Sequence, residues 1–124
     1  YFKTYMGKIK NSHPILSSII QLKENLDNFG IKLIVYSTPI NITEAKNIFD
    51  KKNKYLINAN NFEERVISNL KIIKKNLEIH EIPFLNLTFK IKNPEIFYDD
   101  NPSENINYNG KQIITKELKK FIKS

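Results

Sequence analysis

Several residue types that support particular chemistries are missing from this sequence. It has no cysteine, so disulfide bonds and thiolate metal sites are excluded. Its two histidines, His13 and His80, lie far apart without ligand-like spacing, and we expect no metal and no cofactor. No apolar run approaches the roughly 18 residues that span a bilayer, so no membrane span is expected in this chain.

Arginine is nearly absent as well. Arg65 is the only arginine among twenty basic residues, although the formal net charge is +7. Nucleic-acid sites commonly rely on arginine for bidentate contacts. The lysine excess goes with heavy asparagine and isoleucine usage, so we interpret it as a compositional bias of the source genome. A basic nucleic-acid-binding module stays open as an alternative.

What is present predicts one α/β domain. The 124 residues are 40% hydrophobic, which suffices for a packed core. Two β-rich runs, 31–36 and 83–87, predict strands, and consecutive Leu33, Ile34 and Val35 indicate burial on both faces, as in a parallel sheet. Helical spacing predicts helices over about 14–28, 43–51, 60–77 and 107–123. Gly30 is the expected left-handed stop of the first helix, and Thr43 is the expected cap of the second. The third should bury an apolar stripe from Phe62 to Leu77, and Ile122 of the last should face inward. Residues 1–13 are expected to form an arm or loop, and 14–124 to belong to one domain.

Two strands make an incomplete sheet. A parallel strand buried on both faces needs neighbours on each side. We therefore expect one sheet edge to pair with strands that this chain lacks. The first residue is Tyr1 rather than Met, which is the pattern expected of a fragment or a processed chain.

Function in open α/β sheets collects at the carboxyl ends of the strands. Two polar loops meet that condition here, residues 37–41 and 97–107. The second is followed by a distinctive motif, since residues 99–111 read Asp-Asp-Asn-Pro-Ser-Glu-Asn-Ile-Asn-Tyr-Asn-Gly-Lys.

This motif resembles the closing segment of SGNH (GDSL-type) hydrolases and related cell-envelope O-acyltransferase-like proteins. That segment reads Ser-Glu-His-Leu-Asn-Tyr-x-Gly-Lys after an acidic residue, so Asn105 stands at the catalytic histidine position. Residues 32–41, Lys-Leu-Ile-Val-Tyr-Ser-Thr-Pro-Ile-Asn, are similar to the fourth strand of that fold and its Thr-Pro-x-Asn exit. Residues 82–88 resemble the fifth strand.

The resemblance covers residues 14–124 as the C-terminal half of the family's domain. It implies a partial flavodoxin-like, three-layer fold, a glycan or acyl-ester substrate, and a bacterial extracytoplasmic or membrane-anchored location. It places the catalytic positions at Asn105 and at Asp100 or Asp99, and substrate contacts at Thr38 and Asn41. The family's acidic residue usually precedes the histidine by about three residues, where this chain has Pro102, so Asp100 would need a two-residue insertion and Asp99 a three-residue insertion.

The chain also departs from the family in ways that affect catalysis. It has no Gly-Asp-Ser nucleophile turn and none of the Gly and Asn donors of the oxyanion hole, which the missing N-terminal half would carry. Asparagine cannot accept a proton near neutral pH, so it cannot replace the histidine as general base. We therefore expect an inactive fragment or pseudoenzyme.

Plain structural alternatives accompany each site residue. Asn105 could be the N-cap of the last helix, and the two aspartates an ordinary solvated turn. Ser37, Thr38 and Asn41 could contact a substrate, or they could only end a strand and cap a helix. Glu104 could act as a substitute base. Four tyrosines suggest either a carbohydrate-stacking surface or core-edge positions: Tyr36, Tyr55, Tyr98 and Tyr108. The whole chain could also be a complete small α/β binding or interaction domain.

Overall fold

The computed structural model describes residues 9–53, 62–100 and 105–124. These ranges contain α1 (Pro14–Asp27), β1 (Val35–Ser37), α2 (Ile42–Asn53), α3 (Phe62–Ile79), β2 (Phe84–Asn86), a 3₁₀ turn (Pro94–Ile96) and α4 (Tyr108–Lys123). The mixed α/β class is confirmed. Asn60, the predicted start of the third helix, lies outside the described residues, as do Pro102 and Glu104. Within the described ranges, no helix has the length and apolarity to cross a bilayer.

The two strands pair in parallel, as the sequence predicts. The Val35 N–H donates to the Pro83 carbonyl at 3.0 Å, and the Leu87 N–H donates to the Ser37 carbonyl at 3.3 Å. Partner numbers therefore rise together along both segments, as they do in a parallel pair. In the described part of the chain the sheet has these two strands only.

The first strand is shorter than the predicted run 31–36. Its start is delayed because the Ile31 N–H is already bound to the Leu26 carbonyl at the end of α1, at 3.0 Å. The expected burial of Leu33, Ile34 and Val35 on both faces is also wrong, since all three are only half-buried. A two-stranded sheet leaves such side chains partly uncovered.

The chain divides into two compact units, residues 1–35 with 60–84 and residues 36–59 with 85–124. In the first unit, α1 packs against α3 around an apolar core. The buried members of that core are Leu16, Leu77, Ile82 and Phe84. Half-buried apolar residues surround them, namely Ile9, Ile19, Ile20, Leu33, Val35, Leu70 and Ile73. The predicted apolar stripe of α3, from Phe62 to Leu77, faces inward as expected.

Both long helices of this unit end in the same hydrogen-bond pattern. At the end of α1, Gly30 has φ +67°, its N–H donates to the Asp27 carbonyl, and the Ile31 N–H donates to the Leu26 carbonyl. This is a Schellman motif, and the predicted role of Gly30 as a left-handed stop is confirmed. At the end of α3, Glu81 adopts φ +58° and the Ile82 N–H donates to the Leu77 carbonyl at 2.9 Å.

In the second unit, α4 contacts the 3₁₀ turn. The buried apolar side chains include Leu87, Ile96, Phe97 and Ile114. Gly110 allows the close approach, because a Cβ at this position would overlap the Ile106 side chain and lie 3.0 Å from the Ile96 carbonyl oxygen. Ile122, predicted to face inward, is instead 62% exposed.

Candidate functional site

The candidate site lies on the segment that precedes α4, which main-chain hydrogen bonds hold against the 3₁₀ turn. Phe97 and Ile106 form an antiparallel bridge. The Tyr98 N–H donates to the Asn105 carbonyl at 2.9 Å, and the Asn107 N–H donates to the Ile96 carbonyl at 2.9 Å. These bonds fix the backbone at Asn105 and at the two residues that follow it.

Asn107, not Asn105, is the N-cap of α4. Its side-chain Oδ1 accepts from the Gly110 N–H at 3.0 Å, and its Nδ2 donates to the Glu95 carbonyl at 2.7 Å. The alternative interpretation of Asn105 as the helix cap is therefore wrong. The Asn105 side chain is exposed and is left available for another role.

A depression of about 480 Å³ opens beside this segment. The described residues that line it are Tyr98, Asp100, Asn105, Ile106 and Lys111, and we call it the Asn105 depression. It brings together two of the predicted catalytic positions, Asp100 and Asn105. Asp99, in the adjacent exposed turn, is not among the lining residues, and neither are Thr38 and Asn41.

The loop that follows β1 serves a structural purpose at Asn41. The Asn41 Oδ1 accepts from the Glu44 N–H at 3.3 Å, and its carbonyl accepts from the Ala45 N–H at 2.9 Å. Asn41 thus caps α2, where the sequence predicted Thr43. This contact supports the capping alternative for Asn41. Thr38 is exposed, and its predicted substrate contact stays a prediction.

Ser37 is bound into the strand ends. Its Oγ donates to the Asn86 Oδ1 at 3.0 Å and accepts from the Leu87 N–H at 3.1 Å. The Asn86 Oδ1 also accepts from the Thr88 N–H at 3.1 Å. A hydroxyl whose proton is directed at an amide oxygen has no base to activate it, so Ser37 does not qualify as a nucleophile. The sequence did not reveal these hydrogen bonds, because they join residues from two distant segments.

Charge is distributed unevenly over α4. The Glu117 carboxylate accepts from the Lys90 ammonium at 2.7 Å and lies 3.7 Å from the Lys120 ammonium. The hydrogen bond from Lys90, with the charges of both lysines, holds the pKa of Glu117 below its ordinary value. Lys111, by contrast, has no carboxylate within ion-pair distance in the described ranges. Its positive charge is therefore available to the Asn105 depression.

The depression thus presents a carboxylate, an amide, an ammonium and a phenol, which can bind a polar ligand through hydrogen bonds. It lacks a proton acceptor of suitable pKa at position 105. No cluster of three metal-binding side chains occurs among the residues that the structure describes. No protein-family profile, curated protein or solved structure matches this sequence.

Proposed function

We propose that this chain is the C-terminal part of an SGNH-like acyl esterase or O-acyltransferase domain, with Asn105 at the position of the catalytic histidine and no catalysis by the chain alone. The observation that carries the proposal is the placement of Asp100 and Asn105 along one depression, immediately before the last helix. The family motif requires an acidic residue and a histidine at this place in the chain.

The strand pair gives a second, independent argument. Parallel sheets occur almost only with several strands and with both faces covered. The pair formed by β1 and β2 has neither property in the described residues, and its side chains at 33–35 are only half-buried. A sheet that continues into further strands, with a flavodoxin-like arrangement, accounts for both features.

The chemistry explains why the chain should be inactive. In a serine hydrolase the base takes the serine proton, an acidic group orients that base, and preplaced donors stabilise the oxyanion. Asn105 can donate and accept hydrogen bonds but cannot take up the proton. The groups that remain can hold a substrate's polar atoms without activating a nucleophile.

The first test is direct. The purified chain should hydrolyse nitrophenyl acetate no faster than buffer, and it should not be labelled by a serine-directed phosphonate. An esterase of the same family serves as the positive control. Stoichiometric labelling together with turnover would contradict the proposed inactivity.

The second test probes the geometry of the proposed histidine position. In Asn105→His the new imidazole should have a higher pKa than in the double variant Asn105→His with Asp100→Asn, since a nearby carboxylate favours the charged ring. Proton NMR titration measures both values, with His13 and His80 as internal references. Equal pKa values in the two variants would show that Asp100 does not face position 105, and the family assignment would lose its main support.

The third test uses the gene. The reading frame upstream of the Tyr1 codon should encode a Gly-Asp-Ser turn roughly one half-domain earlier, if the proposal is correct. A complete small binding domain, the main alternative, predicts no such turn. Where the turn is found, Asn105→His in that longer protein should raise esterase activity, by up to roughly 10²–10⁴-fold if the base is restored.

A further inference from the structure

One face of α4 combines uncompensated positive charge with hydrogen-bonding side chains. A second depression, of about 470 Å³, runs along this face, and we call it the α4 groove. Its described lining residues are Tyr108, Lys111, Gln112, Thr115, Lys116 and Lys119, all on α4. Residues at spacings of three and four along a helix share a face, so the lysines flank a continuous polar strip.

The lysines of the groove form no ion pairs, although Asp100 lines the adjoining Asn105 depression together with Lys111. Within the described ranges, none of Lys111, Lys116 and Lys119 lies within ion-pair distance of a carboxylate, and no acidic residue is among the lining residues. The one acidic side chain of α4, Glu117, is already paired with Lys90 and Lys120. A surface of this kind attracts an anion, and a spaced row of lysines suits a ligand with repeated negative charges.

The uncharged residues of the groove favour a ligand rich in hydroxyl groups. Gln112 donates its Nε2 hydrogen to the Tyr108 hydroxyl, which leaves the Tyr108 proton and the Gln112 carbonyl available. Thr115 donates to the Lys111 carbonyl at 2.9 Å, so its oxygen can still accept. The Tyr108 ring is 71% exposed and can stack on a sugar face.

From these features we infer that the α4 groove binds an acidic polysaccharide, with the lysines contacting its carboxylate or phosphate groups and Tyr108 stacking on its sugar rings. Lys111 lines both the groove and the Asn105 depression, where the exposed Tyr98 ring can stack on a sugar but the Asp100 carboxylate repels an acidic group. Nucleic acid is disfavoured as the occupant, because no arginine lines either depression. The inference does not depend on the proposed acyl chemistry, since it concerns binding alone.

The test measures binding of the purified chain to polygalacturonate, to phosphorylated dextran, to unmodified dextran and to double-stranded DNA. We expect binding to at least one of the two acidic glycans that weakens with added salt, and none to unmodified dextran. Which acidic glycan binds more tightly distinguishes a carboxylate-bearing from a phosphate-bearing ligand.

A charge-matched pair of triple variants locates the binding. The variant K111Q/K116Q/K119Q should bind the acidic glycan at least roughly tenfold more weakly than the parent. The control K32Q/K71Q/K75Q loses the same number of charges from exposed positions elsewhere, and its affinity should stay within about threefold of the parent's. Tyr108→Ala should weaken glycan binding and leave binding of inorganic polyphosphate unchanged. Circular dichroism confirms that each variant is folded.

Three results would overturn the inference. Equal losses of glycan affinity in the two triple variants would show that binding depends on net charge and not on the α4 groove. DNA that binds as tightly as the glycan, through the same three lysines, would identify a nucleic-acid surface instead. Failure of both acidic glycans to bind at low salt would show that the α4 groove is not a binding site for acidic polysaccharides. None of these results bears on esterase activity or on the pKa test at position 105.

Discussion

The C-terminal ends of α1 and α3 have the same backbone hydrogen-bond pattern but different side chains. In each, a leucine carbonyl accepts from an isoleucine N–H five residues later: Leu26 with Ile31, and Leu77 with Ile82. A lysine four residues before an acidic residue stabilises each last turn, Lys23–Asp27 at 2.6 Å and Lys74–Glu78 at 3.8 Å. Each connection then leads into one of the two paired strands.

The two connections differ in what they bury and in the residue that turns the chain. Ile82 is 1% exposed, whereas Ile31 is 52% exposed. The left-handed position is occupied by Gly30 in the first and by Glu81 in the second. Hydrogen bonds therefore set the turn in both places, whereas the stability that each connection adds depends on how deeply its isoleucine is buried.

The largest expected difference concerns the two isoleucines. Ile82→Ala should lower the free energy of unfolding by about 2–5 kcal/mol, because it leaves a cavity in the core. Ile31→Ala, the matched control, should change it by no more than about 0.5 kcal/mol. Urea denaturation of both variants provides the measurement. Similar losses at the two sites would mean that Ile31 is buried in solution.

The next effect is at Gly30. Gly30→Ala should cost about 1 kcal/mol, because a Cβ in the left-handed region is strained, although part of the strain is offset by reduced unfolded-state entropy. A Cβ at this position would meet nothing within 4 Å, so the cost is that of the backbone alone. A neutral result in denaturant melts would indicate that the turn relaxes to another conformation.

Glu81→Gly should have the opposite sign and a smaller size. Relief of the left-handed strain, less the greater flexibility of glycine in the unfolded chain, predicts a gain of about 0.5 kcal/mol. Glu78→Gly in the preceding helical turn is the control and should be destabilising by about 1 kcal/mol. The midpoint of urea unfolding distinguishes the two. A loss at position 81 would show that the glutamate side chain makes a contact worth more than the strain.

The smallest effect is expected from the ion pairs. Asp27→Asn should lower the free energy of unfolding by about a few tenths of a kcal/mol at low salt and not at all at molar salt. Glu78→Gln should have a smaller effect, because its ion pair is longer and both of its side chains are more than half exposed. Thermal melts at the two salt concentrations separate these cases. A loss at Glu78 that equals the loss at Asp27 would contradict the ranking.

Much of the fold could be predicted because hydrophobic periodicity is a local property. The helices and the stop at Gly30 follow from short stretches of sequence, and the parallel pairing follows from the alternation of strands with helices along the chain. The strand lengths could not, since the start of β1 depends on the hydrogen bond of Ile31 to the end of α1. Glu81 was missed because glutamate rarely adopts a left-handed conformation; the recurring Leu-acidic-x-x-x-Ile pattern was the available signal.

The candidate site could be predicted only in part. Asp100 and Asn105 line one depression, in agreement with the motif, and the role of Asn105 in catalysis stays a prediction. Sequence could not decide between Asn105 and Asn107 as the cap. The Asn107 side chain is also held by a hydrogen bond to the Glu95 carbonyl, 12 residues earlier, and this contact depends on the fold. The unpaired lysines of the α4 groove were likewise hidden, because their surroundings depend on the fold.

The hydrogen bond between the Tyr98 N–H and the Asn105 carbonyl has a consequence for how this protein can be altered. It joins two residues seven positions apart, next to the Phe97–Ile106 bridge, and so holds the two ends of the intervening segment together. Each doubling of a flexible loop's length costs only about 0.6 kcal/mol in closure entropy. We therefore expect a peptide epitope inserted after Asp100 to cost little stability, provided that Tyr98, Asp100 and Asn105 are kept.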